Sequence, residues 1–340
     1  MSKTVKMADI AEKLNVSVVT VSKALSGQKG VSEEIRDKIK ILAEEMGYKQ
    51  HSTLRIIKEH KSYNIGILIS DRYLDKYESF YWQMYQEVTQ KALQRECFTM
   101  LEVLTNEDEK KRVLPKLLQE DRVDGMIVIG LLEDEYLERL YDATKKPLIY
   151  LDFYDKKHKC DSIITDNYYG MYKLTNYLFD MGHSEIAYVG NLLYTGSITD
   201  RYFGYAKALL EHGNKMREDW IINDRDEVTG RTDFGFELQL PEEMPTAFAC
   251  NCDLAASQVI KKLEENGYRV PQDISVIGFD NYLYPGLCDI GITTYEVDVK
   301  EMARKSINNI IKKISGEYYK QGITIVEGRI VIKDSVCKRP

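Results

Sequence analysis

The chain has 340 residues, of which 44% are hydrophobic and 30% are charged, and its formal net charge is −7. This length accommodates two or three domains, and the composition is that of an ordinary soluble protein. No run of 18 apolar residues occurs and the first residues form no apolar signal core, so we expect no membrane association and a cytoplasmic location. The six cysteines are spread along the chain, which favours free thiols over a disulfide framework.

The charge is distributed unevenly along the sequence. Residues 1–60 hold 11 Lys or Arg against 8 Asp or Glu, whereas the remaining residues hold 36 against 46. A small basic module on an acidic body fits local binding to phosphates, although chance unevenness would also explain so small an excess.

The N-terminal segment predicts two short helices joined by a tight turn, which is a helix-turn-helix. The first helix has an apolar face at helical spacing, formed by Met7, Ile10, Ala11 and Leu14. Ser17 is a suitable N-cap for a second helix over 18–25, because its hydroxyl can accept a hydrogen bond from a free backbone N–H. The inward residues of that second helix are expected to be Val21, Ala24 and Leu25.

The outward face of the second helix is the predicted DNA contact, since a recognition helix places its N-terminal residues at base edges in the major groove. Lys23 can donate to guanine, whereas Val18 and Val19 can contact only apolar groups such as a thymine methyl. Three hydroxyl side chains suit phosphate contacts, which set position rather than sequence preference: Ser17, Thr20 and Ser22.

A third helix is predicted after Ser32, with Glu33 and Glu34 at its positive end. Its expected core stripe consists of Ile35, Ile39, Leu42 and Met46. A three-helix bundle without any nucleic-acid role is the alternative interpretation of this region.

The segment VKMADIAEKLNVSVVTVSKALSGQKGVSEEIRDKIKILAEEMGY resembles the headpiece of the lactose-repressor (LacI/GalR) family over its whole length. The resemblance implies a hinge helix, here over roughly 50–58, that pushes an apolar wedge into the minor groove. Ile57 falls at the wedge position, and Arg55 matches a common family residue. The sequence departs from the family pattern at Gln50, His51 and Leu54, where proline, asparagine and alanine are usual.

From residue 63 the pattern changes to apolar strands that alternate with helices. Strands are predicted over 64–70, 98–104, 124–130, 147–153, 185–190, 245–250 and 274–280. Helices are predicted over 80–97, 107–120, 169–181, 200–212, 254–266 and 299–314. This alternation implies parallel sheets covered by helices, and the number of units exceeds one sheet, so we expect two lobes.

Ligands of such folds bind beyond the carboxyl ends of the strands. Asp71, Asp152, Asn251 and Asp280 lie at or just after the carboxyl ends of predicted strands, and Phe80 supplies an aromatic face. Carboxylates and amides that bind hydroxyls, with rings that stack on a sugar, suit a small polyhydroxy ligand. The alternative for each polar residue is a structural role as the cap of a following helix or turn.

The family resemblance extends over nearly all of this body. The segment DSIITDNYYGMYKLTNYLFDMGHSEIAYVG is similar to a family segment in which the position of Asp166 often contacts effector. Arg201, in ITDRYFGYAKAL, matches an arginine that commonly clamps effector, and Asp280, in VPQDISVIGFDN, matches the effector-binding aspartate. In CNCDLAA, Asn251 is retained, but Cys252 stands where the family carries aspartate.

No metal, cofactor or catalytic site is predicted. Cys250 and Cys252 have no nearby matching His or Cys, and alternate residues of a strand point to opposite faces of a sheet. A phosphate loop, a nucleophile elbow and a His-Glu-x-x-His motif are also missing from the sequence, so we do not expect an enzyme.

The sequence therefore predicts an all-α helix-turn-helix headpiece (1–49), a hinge (50–61) and an α/β, two-lobed, periplasmic-binding-protein-like body with parallel sheets (62–340). Lobe 1 is expected to comprise about 62–164 and 294–325, and lobe 2 about 165–293 and 326–340. The expected function is ligand-controlled transcription regulation, most simply repression, by a homodimer on a pseudo-palindromic operator, with a sugar bound between the lobes.

Three alternatives remain open at this point. The aromatic helix over 79–93 is either the dimer surface or an ordinary core helix. The ligand is either an inducer or a co-repressor or activator. The whole chain is either a regulator or a carbohydrate-binding protein or enzyme whose helical N-terminus only mediates self-association.

Overall fold

The computed structural model describes residues 5–25, 30–46, 48, 62–74, 79–155, 157, 160–226 and 238–339. They belong to two compact units, Met1–Lys61 and Ser62–Pro340. Within the described residues, every helix is too short or too polar to cross a lipid bilayer.

The first unit is a bundle of three helices, α1 (Met7–Lys13), α2 (Val18–Leu25) and α3 (Glu33–Glu45). Its buried core is formed by Ile10, Ala11, Val21, Ala24, Ile39 and Ala43. Ile35 differs from the expected stripe, because it lies in the first turn of α3 and is 38% exposed. The apolar contact of α3 therefore begins one turn later, at Ile39.

The strands of the second unit are β1 (Asn64–Ser70), β2 (Phe98–Leu104), β3 (Gly125–Ile129), β4 (Leu148–Leu151), β5 (Asp161–Thr165), β6 (Ile186–Val189), β7 (Ile221–Ile222), β8 (Ala247–Cys250), β9 (Ser275–Ile277), β10 (Thr294–Glu296), β11 (Ile323–Val326) and β12 (Arg329–Val331). Its helices are α4 (Phe80–Leu93), α5 (Asn106–Lys110), α6 (Lys116–Gln119), α7 (Asp134–Ala143), α8 (Asn167–Asp180), α9 (Gly196–Glu211), α10 (Asp253–Glu265) and α11 (Val299–Ser315).

Two parallel sheets organise this unit. The larger sheet has the order β11-β5-β4-β3-β1-β2, and the smaller has the order β7-β6-β8-β9. An antiparallel pair, β10 and β12, lies beside β9. The central strands are buried on both faces, which explains why they are continuous apolar runs in the sequence.

The chain crosses between the sheets three times: after β5, through α11 into β11, and between β11 and β12. A continuous apolar core joins α4 and α11 on the larger sheet to α8 and α9 on the smaller one. Because ligands of parallel sheets bind at the carboxyl ends of strands, this arrangement places two such ends around one cleft. The lobe limits given above remain a proposal.

Two local expectations differ from the structure. The segment expected as one helix over 107–120 contains two short helices, α5 and α6. Pro115 precedes α6 and has no N–H to continue an α-helical ladder from α5, so the helix is interrupted there. The fully buried strand β5 and the helix α7 were not expected from the sequence pattern.

The aromatic helix α4 contributes to the core as well as to the surface. Met84, Val88 and Ala92 are buried, and Tyr81 and Tyr85 pack against the same core. Its aromatic character is therefore explained in part by packing within the unit.

Candidate functional site

Helix α2, the predicted recognition helix, exposes the residues for which the sequence predicts DNA contact. Val18 and Val19 are 47% and 62% exposed, although they are apolar. Ser22 and Lys23 are exposed as well, while Val21 and Ala24 are buried on the opposite face. Exposed valines on a short helix cost solvation free energy, so they are consistent with a face that meets a partner.

Ser17 caps α2, as the sequence predicts. Its Oγ accepts a hydrogen bond from the Thr20 backbone N–H at 3.0 Å and lies 2.8 Å from the Thr20 Oγ1. The two hydroxyls thus form a fixed pair at the N-terminal end of the helix, where orphan N–H groups attract a phosphate.

Arg36 is a feature of this unit that the sequence analysis missed. Its guanidinium, on α3, donates to the backbone carbonyl of Ala24 at 3.1 Å, in the last turn of α2. A cation at the C-terminal end of a helix satisfies free carbonyls and interacts favourably with the helix dipole. Arg36 therefore helps to position α2 within the bundle.

Two further DNA-contact predictions, Arg55 and Ile57, lie outside the described residues. They remain predictions, as does the hinge to which they belong.

In the second unit, five of the seven predicted effector-binding residues line one cavity of about 220 Å³. The five are Phe80, Asp152, Arg201, Asn251 and Asp280. Asp152 follows β4 in the larger sheet, whereas Asn251 and Asp280 follow strands of the smaller sheet. The cavity is therefore built from the carboxyl ends of both sheets.

Arg201 is the central cation of this cavity, and it is 5% exposed. Its Nε donates to Asn167 Oδ1 at 2.8 Å, and its Nη2 lies 3.1 Å from Asp280 Oδ1. Its Nη1 donates to the Asn251 backbone carbonyl, and its guanidinium carbon lies 3.8 Å from the Phe279 ring centroid. These contacts fix the guanidinium before any ligand arrives, which reduces the entropy lost on binding.

Asp152 has a spare acceptor in the cavity. Its Oδ2 accepts from the Tyr81 hydroxyl at 3.0 Å, while its buried Oδ1 has no hydrogen-bond partner. Burial raises the pKa of Asp152 to about 7, and the nearby charge of Arg201 offsets this effect only in part. A buried carboxylate oxygen without a partner is costly, so a ligand hydroxyl that donates to it would gain more than a surface contact.

Asp152 and Asp280 both have positive φ angles, of 71° and 97°. Left-handed backbone is unfavourable for residues other than glycine, and such conformations concentrate at binding sites. Burial also raises the pKa of Asp280, and the guanidinium of Arg201 opposes that rise.

The side-chain amide of Asn251 is engaged by the protein itself. Its Nδ2 donates to the Val189 carbonyl at 3.0 Å and to Asp224 Oδ2 at 2.8 Å. Asp224 in turn accepts from Arg225, whose Nη2 and Nε lie 2.6 Å and 3.0 Å from its two carboxylate oxygens. Asn251 therefore acts in part by orienting Asp224 and, through it, Arg225.

Arg225 and Arg72 line the cavity but were not predicted. Arg72 pairs with the buried Glu109, a residue 37 positions further along the chain. Each of the three cavity arginines thus has its own carboxylate: Glu109, Asp280 or Asp224. Because these pairs balance, the cavity carries no excess positive charge among the described residues.

Asp71 and Asp166 lie outside the cavity lining. Asp166 caps α8, since its Oδ1 accepts from the Tyr169 N–H at 3.2 Å. Asp71 begins a short 3-10 turn after β1, and that turn directs the next residues, Arg72 and Tyr73, to the cavity instead.

Aromatic rings complete the wall. The ring centroids of Tyr73 and Tyr81 are 4.6 Å apart, and Phe80 lies edge-on to Tyr81 at 5.5 Å and to Tyr282 at 6.3 Å. Flat apolar faces beside buried carboxylates and guanidinium groups suit a ligand with both C–H faces and hydroxyls.

Cys252 also lines the cavity, and its Sγ accepts from the Ala255 N–H at 3.4 Å. Burial raises the pKa of this thiol to about 12, so it is a neutral thiol at physiological pH. Over the part of the chain that the structure describes, His, Cys, Asp and Glu side chains form no group of three or more that could hold a metal ion.

Comparison with known proteins adds to this geometry. Residues 6–50 match the family of bacterial regulatory proteins called the lacI family, and residues 175–336 match a periplasmic-binding-protein-like domain. The HTH-type transcriptional repressor PurR of Aliivibrio salmonicida is 26% identical over 332 residues, which are 97% of this chain and 98% of that protein. PurR of Glaesserella parasuis is 28% identical over 307 residues, which are 90% and 89% of the two chains.

Two solved structures share the fold over nearly the whole chain. The transcriptional regulator CelR in complex with cellobiose has a TM-score of 0.68 at 20% identity, and the alignment covers 97% of this chain and 99% of that one. The lac repressor dimer bound to operator and an anti-inducer has a TM-score of 0.66 at 21% identity, covering 98% and 100%. The chain therefore carries a lacI-family DNA-binding domain over residues 6–50 and a periplasmic-binding-protein-like domain over residues 175–336, in the order that the sequence predicts.

Proposed function

We propose that this protein is a sequence-specific transcription repressor whose operator affinity is controlled by a sugar bound in the cavity of the body. The observation that carries the proposal is the cavity itself, where the buried Asp152 and Arg201 meet the partly buried Asp280. The same chain matches the lacI family over residues 6–50. The names of the PurR relatives as transcriptional repressors support the regulatory part.

The chemistry of the cavity favours a neutral, hydroxyl-rich ligand. The arginines are already paired with carboxylates, so an anionic ligand would have to compete for them. The unpartnered Oδ1 of Asp152 accepts a hydroxyl proton, and the rings of Phe80 and Tyr81 offer faces for a sugar ring. The bound cellobiose in the CelR structure shows that a relative of the same fold takes a sugar.

Control of DNA binding follows from the position of the cavity. A ligand that contacts residues after β4 and after β9 at the same time stabilises the lobe arrangement that brings both sets together. Such a ligand shifts the conformational equilibrium only by its difference in affinity for the two arrangements, and this difference is then transmitted to the headpieces.

We further propose a homodimer in the cytoplasm, acting on a pseudo-palindromic operator and without catalytic activity. The lac repressor, which has the same fold, was solved as a dimer on its operator. Two-fold symmetry of the protein matches two-fold symmetry of the site, and two headpieces on one duplex multiply their individual affinities.

The test is a fluorescence-anisotropy titration of the full chain against DNA from upstream of its own gene, with and without sugars. Lys23→Ala should lower specific affinity about tenfold, because one good base contact contributes about 1–3 kcal/mol. Lys38→Ala is the matched control, since it also removes one positive charge but lies on α3, paired with Glu34. Asp280→Asn should keep operator binding and lose the response to sugar.

Two results would contradict the proposal. If no DNA segment shows salt-sensitive, sequence-dependent binding, the regulatory function is wrong. If Lys23→Ala and Lys38→Ala reduce affinity equally and leave base preference unchanged, the assignment of α2 as the base-reading helix is wrong.

A further inference from the structure

A second cavity adjoins the first. It has a volume of about 650 Å³, and it shares part of its lining with the first cavity. The shared residues are Arg72, Tyr73, Tyr81, Asp152, Tyr194, Thr195 and Ser197. We call the cavity that contains Asp280 the inner chamber and its neighbour the outer chamber.

The shared wall carries two buried polar atoms that lack partners in the protein. Asp152, which is 6% exposed, leaves Oδ1 unpaired, and Arg72 leaves Nε unpaired. Buried donors and acceptors are nearly always satisfied in folded proteins, so an unpaired acceptor and an unpaired donor in one wall point to a ligand that passes between them. A hydroxylated ligand supplies both kinds of partner.

The size of each chamber indicates what it can hold. At about 220 Å³ the inner chamber is smaller than the range of roughly 300–1,000 Å³ that is usual for small-molecule pockets, whereas the outer chamber, at about 650 Å³, lies within that range. The inner chamber alone therefore fits a single small ring, and a larger ligand has to extend into the outer one.

The outer chamber has the lining of a carbohydrate subsite. Phe153, Tyr154 and Phe203 provide aromatic faces, and Phe203 is 54% exposed although it is apolar. Its carboxylates are Glu133, Asp134, Asp152, Asp155 and Asp200. Among the described lining residues the only cation is Arg72, so an acidic sugar would be repelled and a neutral one accepted.

We propose that the effector of this protein is a neutral sugar of at least two rings, with one ring in the inner chamber and the next in the outer chamber. This inference rests on the proposed function of the inner chamber. Arg201 and Asp280 hold the first ring, Asp152 and Arg72 bind hydroxyls near the linkage, and Phe203 covers a face of the second ring.

Because each chamber has lining residues of its own, single substitutions can test the binding of each ring separately. Phe203→Ala removes an aromatic face from the outer chamber, and the partial exposure of Phe203 means that the fold tolerates the change. Leu210→Ala is the matched control, because Leu210 lies on the same helix α9, is 68% exposed, and lines neither chamber. Asp280→Asn acts on the inner chamber alone.

The experiment measures the affinity of the full chain for matched pairs of sugars by calorimetry. Glucose is compared with cellobiose and, separately, with laminaribiose, xylose is compared with xylobiose, and mannose is compared with mannobiose. In at least one pair the disaccharide should bind about tenfold or more tightly than its monosaccharide. Phe203→Ala should remove most of the disaccharide's advantage and leave the affinity for the monosaccharide within about twofold of wild type. Leu210→Ala should change neither affinity. Asp280→Asn should weaken the binding of monosaccharide and disaccharide alike.

The inference is overturned if a monosaccharide binds as tightly as every disaccharide, or if Phe203→Ala weakens both members of a pair equally. Either outcome leaves the proposed sugar-controlled regulator intact, because a monosaccharide then still binds. If none of these sugars binds while operator binding persists, the sugar assignment and the two-ring inference fail together, and the DNA-binding function stands.

Discussion

Replacing Asp152 with Asn separates the stability of the body from its ligand binding. The substitution preserves size, and the new Oδ1 can still accept the Tyr81 hydroxyl, which lies 3.0 Å from the carboxylate. Asn also tolerates the positive φ of 71° at this position better than most residues do. The change removes the negative charge, and it replaces the unpaired carboxylate oxygen with an NH2 group that donates hydrogen bonds.

The expected effect follows from the raised pKa of Asp152, which is about 7 in the folded protein. In the unfolded chain an aspartate has a pKa of about 3.9, so between these values the folded state binds more protons than the unfolded state. The free energy of unfolding therefore decreases as pH rises through this window and levels off above the folded-state pKa. Between pH 5 and pH 8 the decrease due to Asp152 is roughly 2–3 kcal/mol.

The assay is urea unfolding of the full chain without ligand at pH 5 and at pH 8, followed by tryptophan fluorescence. The two tryptophans, Trp82 and Trp220, both lie in the second unit, so the signal reports that unit. The free energy of unfolding of Asp152→Asn, measured relative to that of wild type, should be about 2–3 kcal/mol higher at pH 8 than at pH 5. The variant should also lose sugar affinity. Asp71→Asn is the control, because it removes a carboxylate outside the cavity.

A difference between wild type and Asp152→Asn that stays the same at both pH values would refute this reasoning. It would show that the carboxylate is solvated in the ligand-free protein, and that the unpaired Oδ1 is not a site held ready for a ligand.

Two further predictions concern close packing and helix capping. Gly204→Ala would place a Cβ 2.1 Å from the Tyr168 carbonyl oxygen, so it should lower the free energy of unfolding of the body in urea by about 1–3 kcal/mol. Gly196→Ala is the control, because the atom nearest to a Cβ at Gly196 is 3.6 Å away and Ala should be tolerated there. Equal stability of the two variants would mean that α8 and α9 move apart freely. Arg36→Met removes the guanidinium that caps the Ala24 carbonyl, so amide hydrogen exchange in α2 should become roughly fivefold faster, corresponding to about 1 kcal/mol; unchanged exchange would rule out this positioning role.

The features that depend on local interactions can be predicted from the sequence. The Ser17 cap and the 3.6-residue apolar spacing locate α1 and α2, because hydrogen bonding and amphipathic packing within a helix involve near neighbours. The buried parallel strand β1 is a continuous apolar run, and this pattern predicts the bounds that the structure has. The edge strand β2 is also predicted with its bounds, although most of its residues are not buried.

Which polar residues face the cavity depends on contacts between distant parts of the chain. Arg72 lines it and Asp71 does not, because the 3-10 turn after β1 sets the direction of each side chain. Arg72 pairs with Glu109, and Asn251 reaches Asp224, across 37 and 27 positions of sequence. Such pairs form only when strands from distant segments join one sheet, so they cannot be predicted from periodicity along the chain.

The two chambers and their shared wall are likewise a product of the fold. Asp152 follows a strand of the larger sheet, and Asp280 follows one of the smaller sheet, and the crossings of the chain bring them to a single guanidinium, that of Arg201. The sequence could place each carboxylate at the end of a strand, but burial by both sheets is what leaves Asp152 with a spare acceptor and a raised pKa.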